Sequence, residues 1–193
     1  MTGFLRRVLR PAVTLLIAMT LITGVAYPLA VTVIAQVAFP SQANGSMIVV
    51  DGKTVGSSLI GQSFNDPKYF WGRPSAAGAS GYDGTASAGS NLGPTSKDLI
   101  DTITARVDAM RKANGGGPVP VDLVTSSASG LDPDISPAAA EYQVARVAKS
   151  RGMTEDAVRA YVARHTEQPL LGFLGEARVH VLELNLDLDG MLK

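Results

Sequence analysis

Cysteine is absent from the 193 residues, and histidine occurs only at His165 and His180. The first absence excludes disulfides, thiolate zinc sites and cysteine nucleophiles; the second excludes histidine-rich metal cages. No acidic residue precedes Asp51, whereas Arg6, Arg7 and Arg10 stand ahead of a long apolar run. Basic and acidic residues balance at 17 each, and those three arginines lie before the run, so the remainder carries about −3. Clustered Lys/Arg is lacking there, which argues against a nucleic-acid footprint.

From Ala12 to Ala35 the chain reads AVTLLIAMTLITGVAYPLAVTVIA, 24 residues without a charge. At about 1.5 Å per residue this gives roughly 36 Å of helix, enough to cross a ~30 Å hydrocarbon core with some tilt. The hydroxyls of Thr14, Thr20, Thr23 and Thr32 can bond back to carbonyls of the preceding turn. Gly24 and Pro28 are expected to weaken or kink the outer half, which a bilayer tolerates best beside a covering helix. A cleaved signal peptide also begins with basic then apolar residues. Its core is only about 7–15 residues long and ends at a small-x-small site, which this run lacks. The arginines precede the span, and the first basic residue after it is Lys53. The positive-inside rule then keeps the N-terminus in the cytoplasm and exports the rest. We therefore expect a basic cytoplasmic segment at 1–11, a transmembrane helix at 12–36 and a soluble extracytoplasmic domain at 37–193.

Beyond the span, Ser46–Val50, Asp51-Gly52-Lys53 and Thr54-Val55 predict a β-hairpin with a tight Asp-Gly turn. Residues 64–95 are rich in Gly, Ser and Ala without periodicity, an uncommonly long loop for a compact domain. Ser96–Lys112 predicts an amphipathic helix with Leu99, Ile100, Ile103, Val107 and Met110 on one face, capped by Thr95 or Ser96. Ser136-Pro137 opens a second helix that ends at Arg151-Gly152, and Thr154 caps a third carrying Val158, Tyr161 and Val162. Arg178–Asp189 alternates, with Leu182, Leu184, Leu186 and Leu188 to one side, and so predicts a strand with one wet face. The fold class is α+β: a single transmembrane helix, then one soluble domain with a small, mostly antiparallel sheet and about three helices.

Catalytic patterns are scarce. The glycines from Gly78 to Gly84 lack the lysine of a phosphate-binding loop, and GxSxG is absent around Ser126, Ser127 and Ser129. Ser87–Asn91 can gather backbone N–H groups around an anion, as many small-residue turns can. Asp132 with Asp134, and Asp187 with Asp189, fall short of a calcium loop. The residues point to no catalytic group and no metal ligand set.

Several ordered stretches carry more information together. They are Val55–Gln62 (VGSSLIGQ), Tyr69–Ser75 (YFWGRPS), Gly89–Pro94 (GSNLGP), Pro120–Thr125 (PVDLVT) and Ser129–Pro137 (SGLDPDISP). With Tyr142–Ala148 (YQVARVA) and Leu184-Asn185-Leu186, they make nearly the whole chain resemble the C subunits of the bacterial Kdp-type potassium-transporting P-type ATPase. The resemblance implies an inner-membrane complex that imports potassium at the expense of ATP. Its partners there would be membrane lipid, a pump subunit bearing the phosphorylated aspartate and a channel-like subunit bearing the ion filter. It also implies an accessory role in assembly, described in the family as that of a catalytic chaperone raising the pump's affinity for ATP. No cofactor is implied for this chain itself, and ATP would be held through the complex. Were nucleotide touched directly, the small-residue loops would do it: Ser87, Gly89, Ser90, Asn91, Ser127, Ser129 and Gly130. Gly24, Pro28, Trp71, Arg73, Asp132, Pro133 and Asp134 are the expected subunit contacts. The chain departs from the family pattern at Asp134, where histidine is usual, and at His180, where asparagine is usual. An exported domain cannot reach cytoplasmic ATP, so a place over the ion entrance is the alternative. There Asp51, Asp66, Asp83, Asp132 and Asp134 would concentrate cations by their field.

Overall fold

The computed structural model describes residues 2–192 and divides into two compact units, Met1–Ser46 and Met47–Lys193. Met1 and Lys193, the outer limits of the expected first and last segments, lie outside the described residues.

The first unit is helical. α1 (Thr2–Leu21) passes through a π-turn at Ile22–Ala26 into α2 (Tyr27–Ala38), and a short α3 (Pro40–Ala43) follows. Arg6–Ala38 is a 33-residue helix with none of its apolar window buried, long and apolar enough to cross a membrane. The expected weakness falls where Gly24 and Pro28 lie and takes the form of a wide turn: Pro28 has no N–H to give, and Tyr27 N–H instead reaches back to Ile22 O. Such a π-bulge is one of the recognised causes of helix bending. Thr14 and Thr23 hydroxyls donate to Arg10 O and Met19 O at 2.8 and 2.7 Å, the backbone bonding anticipated for threonines in this run. Asn44 closes the unit by exchanging side-chain amide bonds with Gln36 at 3.1 and 3.3 Å.

The second unit begins with the expected hairpin, β1 (Met47–Val50) against β2 (Lys53–Ser57), antiparallel with a bulge at Ile48/Val49. Asp51 and Gly52 both take positive φ, +49° and +76°, the mirror-type turn whose twist matches the paired strands. α4 (Lys97–Asn114) runs two residues beyond the predicted Lys112 and stops on left-handed Gly115. Ser96 sits at its N-cap position, but the side chain makes no capping bond. No residue of α4 is fully buried, and Ile100 on its apolar face stays exposed. α5 (Pro137–Arg151) starts as expected, with Pro137 in the first turn and Ser136 Oγ accepting from Ala139 N–H, and ends at left-handed Gly152. α6 (Glu155–Arg164) is capped by Thr154 Oγ1, which accepts from Ala157 N–H.

The second sheet is three short antiparallel strands, β3 (Asp134–Ile135), β5 (Arg178–His180) and β4 (Thr166–Glu167), in the order β3-β5-β4. The long strand expected over Arg178–Asp189 is not formed. It stops at His180, and Val181–Leu188 is a further helix, α7. His180 caps that helix by accepting the Glu183 N–H on its ring. Leu182, Leu184, Leu186 and Leu188 are all buried, as are Val181 and Asn185, so α7 is enclosed on most of its circumference. A helix with only Glu183 and Asp187 half-exposed shows a weak 3.6-residue stripe, and the alternation of leucine with polar residues imitated a strand.

The core is built on α5. Small residues at Ala139, Ala140 and Ala148 let neighbours approach closely, while Val144 and Val147 fill the space between them. Ile135 of β3, Val158 and Val162 of α6, Val179 of β5, Val181, Leu184 and Leu188 of α7, Leu123 from a 3-10 turn at Val121–Leu123 and Phe70 from the irregular stretch complete one cluster.

Candidate functional site

The long stretch between β2 and α4 has almost no regular structure, yet it is held at defined points by helix side chains. Phe70 and Trp71 are the centre of this arrangement. The Phe70 N–H donates to Asn185 Oδ1 at 2.8 Å, and Asn185 Nδ2 donates to Phe70 O at 2.9 Å. One residue on, Trp71 N–H donates to Gln143 Oε1 at 2.8 Å, and Gln143 Nε2 donates to Trp71 O at 3.1 Å. Two side-chain amides, one from α7 and one from α5, thus play the part of a neighbouring strand. Both are buried, where an unpaired backbone group is costly.

Arg146 locks the same stretch from a third direction. Its guanidinium lies 4.0 Å from the centre of the Trp71 ring and donates to Asn114 Oδ1, Tyr69 O, Pro67 O and Gln143 Oε1. Burial pulls its pKa down to about 10, with the Asp66 charge acting the other way, so it remains a cation at neutral pH. Tyr69 OH donates to Asp189 Oδ2, which shares its carboxylate with Arg151 at 2.7 Å. Burial alone would push the Asp189 pKa up, but the Tyr69 and Arg151 bonds outweigh it and leave a net fall. Gln143, Arg146 and Asn185 were not singled out as functional in the sequence. A signal existed: Gln143 falls among Ala139, Ala140, Val144 and Val147, and Asn185 among leucines, each a polar side chain in an apolar register.

The clamped segment delivers Arg73 to the loop before α5. Arg73 Nη1 pairs with Asp132 Oδ2 at 2.9 Å, and both side chains are partly buried. Asp132 Oδ1 accepts the Asp134 N–H at 3.1 Å, folding the chain around Pro133. Ser75 Oγ donates to Gly130 O and accepts from the Tyr82 and Ala77 N–H groups. Tyr82 OH donates to Arg73 O at 2.6 Å; burial, then the Asp132 charge, pushes its pKa up to about 12. The structure therefore brings Arg73, Asp132, Pro133 and Asp134 together. Trp71 is attached through one intervening residue, Gly72, whereas Gly24 and Pro28 belong to the other unit.

Asp134 and His180, which the resemblance singled out, are direct partners across β3 and β5. Desolvation raises the Asp134 pKa, while His180 and Arg178 counter it. Arg178 Nε is 3.2 Å from Asp134 Oδ2, and Asp134 Oδ1 is buried without a hydrogen bond. A carboxyl raised by folding stabilises the fold fully below its unfolded value and loses that contribution as pH rises through the folded value. Asp134→Asn is therefore expected to raise the melting temperature at pH 7 by about 1–3 °C, with the difference vanishing below about pH 4. Thermal unfolding followed by Trp71 fluorescence at the two pH values checks this.

The two small-residue loops also meet. Ser87 Oγ and Ala88 N–H both donate to Ser129 O at 3.0 Å, and Gly130 N–H donates to Ser127 Oγ at 2.9 Å. Gly89 packs against Ala128, while Ser90 and Asn91 are exposed. His165 bonds Asp187 at 2.9 Å and His180 bonds Ser58 O, so the histidines' recorded contacts lie away from these serines. Among the described residues no group of three His, Cys, Asp or Glu side chains gathers as a metal site. Of the aspartates considered for cation attraction, Asp132 and Asp134 are matched to arginines, Asp66 and Asp83 accept local N–H groups, and Asp51 is exposed in the hairpin turn.

Residues 9–190 match the family described as KdpC, "K+-transporting ATPase, c chain". The chain belongs to the KdpC family. It is 61% identical over 189 residues to the potassium-transporting ATPase KdpC subunit of Polaromonas naphthalenivorans, covering 97% of this chain and 96% of the relative. The KdpC subunit of Sorangium cellulosum is 62% identical over 184 residues, covering 94% and 97% respectively. That of Dechloromonas aromatica, at 54% identity over 191 residues, is matched along 100% of its length. Likeness to KdpC chains thus takes in both the apolar helix and the clamped domain.

Proposed function

We propose that this chain is the accessory subunit of an ATP-driven potassium import complex, with no chemistry of its own, working beside a pump subunit and a channel-like subunit. The observation that carries the proposal is the KdpC match along 9–190, which includes the apolar helix as well as the domain. The arginines at positions 6, 7 and 10, with no acid before Asp51, support an N-terminus in the cytoplasm and a domain outside, on the inner membrane. On that side it serves as a fixed cover at the ion entrance. Any influence on the pump's ATP affinity then passes through the anchor helix, with Gly24 and Pro28 against a neighbouring span, and through the Trp71, Arg73 and Asp132–Asp134 surface.

Direct contact with nucleotide is the second reading. It is favoured by the meeting of the Ser87–Asn91 and Ser127–Gly130 loops, and opposed by their use of one another as hydrogen-bond partners. The chain has no native cysteine, so a single Ser80→Cys variant gives a clean label. We expect a membrane-impermeant maleimide to label it on intact cells in which the outer envelope has been made permeable. Labelling only after the inner membrane is opened would overturn the external placement and favour the nucleotide reading.

A further inference from the structure

The connection between β4 and β5 is a small apolar knob. Leu170 and Leu174 face each other in an isolated antiparallel bridge, each N–H bonding the other's carbonyl at 3.0 and 2.9 Å. The Gly172 N–H donates to Pro169 O at 2.9 Å, and Leu171 is held at φ +56°, a conformation that side-chain-bearing residues seldom take. The backbone is thus tied to itself, while the side chains are given to the surroundings. Leu170, Leu171, Phe173 and Leu174 are 70%, 75%, 72% and 50% exposed. Single exposed apolar residues need no explanation, but four in five positions, presented by a closed turn, mark an interaction element.

Charge around the knob distinguishes its possible occupants. Elements that rest on a bilayer surface combine apolar residues with Trp or Tyr and with Lys or Arg; Leu170–Leu174 has neither. Glu167 and Glu176 flank it and both are exposed, Glu167 paired with Arg178 at 2.6 Å and Glu176 standing nearer the turn. Glu176 also lines a cleft of about 360 Å³ with Asp122, Asp132 and Asp134, set against Arg73 and Arg178. An anionic headgroup layer would meet like charge there, and so would the same face of a second copy. A protein pocket that is apolar at its floor and basic at its rim would not.

We propose that the Leu170–Leu174 knob is the element by which this domain docks on another protein subunit of its complex, in an apolar pocket with a basic rim. This rests on the reading of the chain as a subunit, and deepens it by naming the contact. The test uses the full chain in native membranes, with Phe173 replaced by the photoreactive p-benzoylphenylalanine. Irradiation is expected to yield one adduct with a larger chain, identified by peptide mass as a subunit of the same transport complex. In parallel, Leu171→Ser with Phe173→Ser is expected to lower recovery of the larger subunits on a tag carried by this chain by about tenfold or more. The Leu171→Met and Phe173→Met pair should retain it, and unchanged Trp71 fluorescence shows that the fold is intact. Adducts with lipid alone, adducts at twice the chain's own mass, or undiminished recovery in the serine variant would each overturn the proposal while leaving the subunit reading standing. Failure of the unmodified chain to recover any larger subunit would remove both.

Discussion

Asn185→Ala is expected to lower the stability of the second unit by about 3 kcal/mol. The substitution removes both the acceptor of the Phe70 N–H and the donor to the Phe70 carbonyl, at a residue that is itself fully buried. A buried backbone group left without a partner costs roughly 1–3 kcal/mol, and here two are orphaned together with some loss of packing. Against a total of about 5–15 kcal/mol for an ordinary domain, that is a large fraction. Trp71 is the chain's one tryptophan and lies next to the broken clamp, so its fluorescence in a urea titration of the full chain in detergent reports the loss directly. Asn185→Asp keeps the acceptor but turns a carboxylate oxygen toward Phe70 O, and should be at least as harmful. A midpoint unchanged by either substitution would mean that the amide clamp contributes nothing.

Gly130→Val should be more disruptive still, by about 4 kcal/mol or more. Gly130 has φ +67°, and a Cβ there would stand 2.5 Å from Ala88 O and 2.7 Å from Ala77 N. Both obstacles are backbone, so no side chain can swing aside to make room. Relief would require parting the loop that carries Ser87 and Ala88 from the one that carries Ser127 and Ser129, which also loosens Ser75 from Gly130 O. Gly190 supplies the comparison: its φ is +69°, but nothing lies within 4 Å of the position a Cβ would take. Gly190→Ala should therefore cost only the left-handed penalty of roughly 1 kcal/mol. Limited proteolysis of the two variants in membranes separates them, with Gly130→Val cut quickly and recovered poorly with the complex. If complexes containing Gly130→Val assemble fully and merely turn over slowly, the loop joint is not structural.

The elements that could be read from residues alone were those whose signals are local. The apolar run, the Asp51-Gly52 turn, the Ser136 and Thr154 caps and the Gly152 stop each depend on a few neighbouring residues. α7 could not be read, because its character depends on what surrounds it. Packed against α6 and β5 and bonded to the loop at Phe70, it is buried on all but the narrow side of Glu183 and Asp187, and His180 rather than a serine or threonine starts it. The long irregular stretch was recognised as lacking periodicity, but its order was not legible. Its partners, Asn185 and Gln143, lie 115 and 72 residues away in sequence. Separation along the chain also hid the meeting of Asp134 with His180, which the sheet makes one cross-strand pair. For the candidate site, composition drew attention to the small-residue loops and the Asp132–Asp134 turn, and both sit at the joint between the irregular stretch and α5. Nothing in the residues pointed to Leu170–Leu174, since four apolar side chains in a row of five read as interior until the turn is seen to face outward.

The double amide clamp makes an irregular segment as durable as the helices that grip it. Its bonds come from α5 and α7 rather than from a strand that might peel away, so Phe70 and Trp71 cannot lift off without breaking both amide pairs at once. A stretch of this kind behaves as a rivet and not as a hinge. Any movement of this unit is then expected to carry Phe70 and Trp71 along with α5 and α7, and not to begin at them.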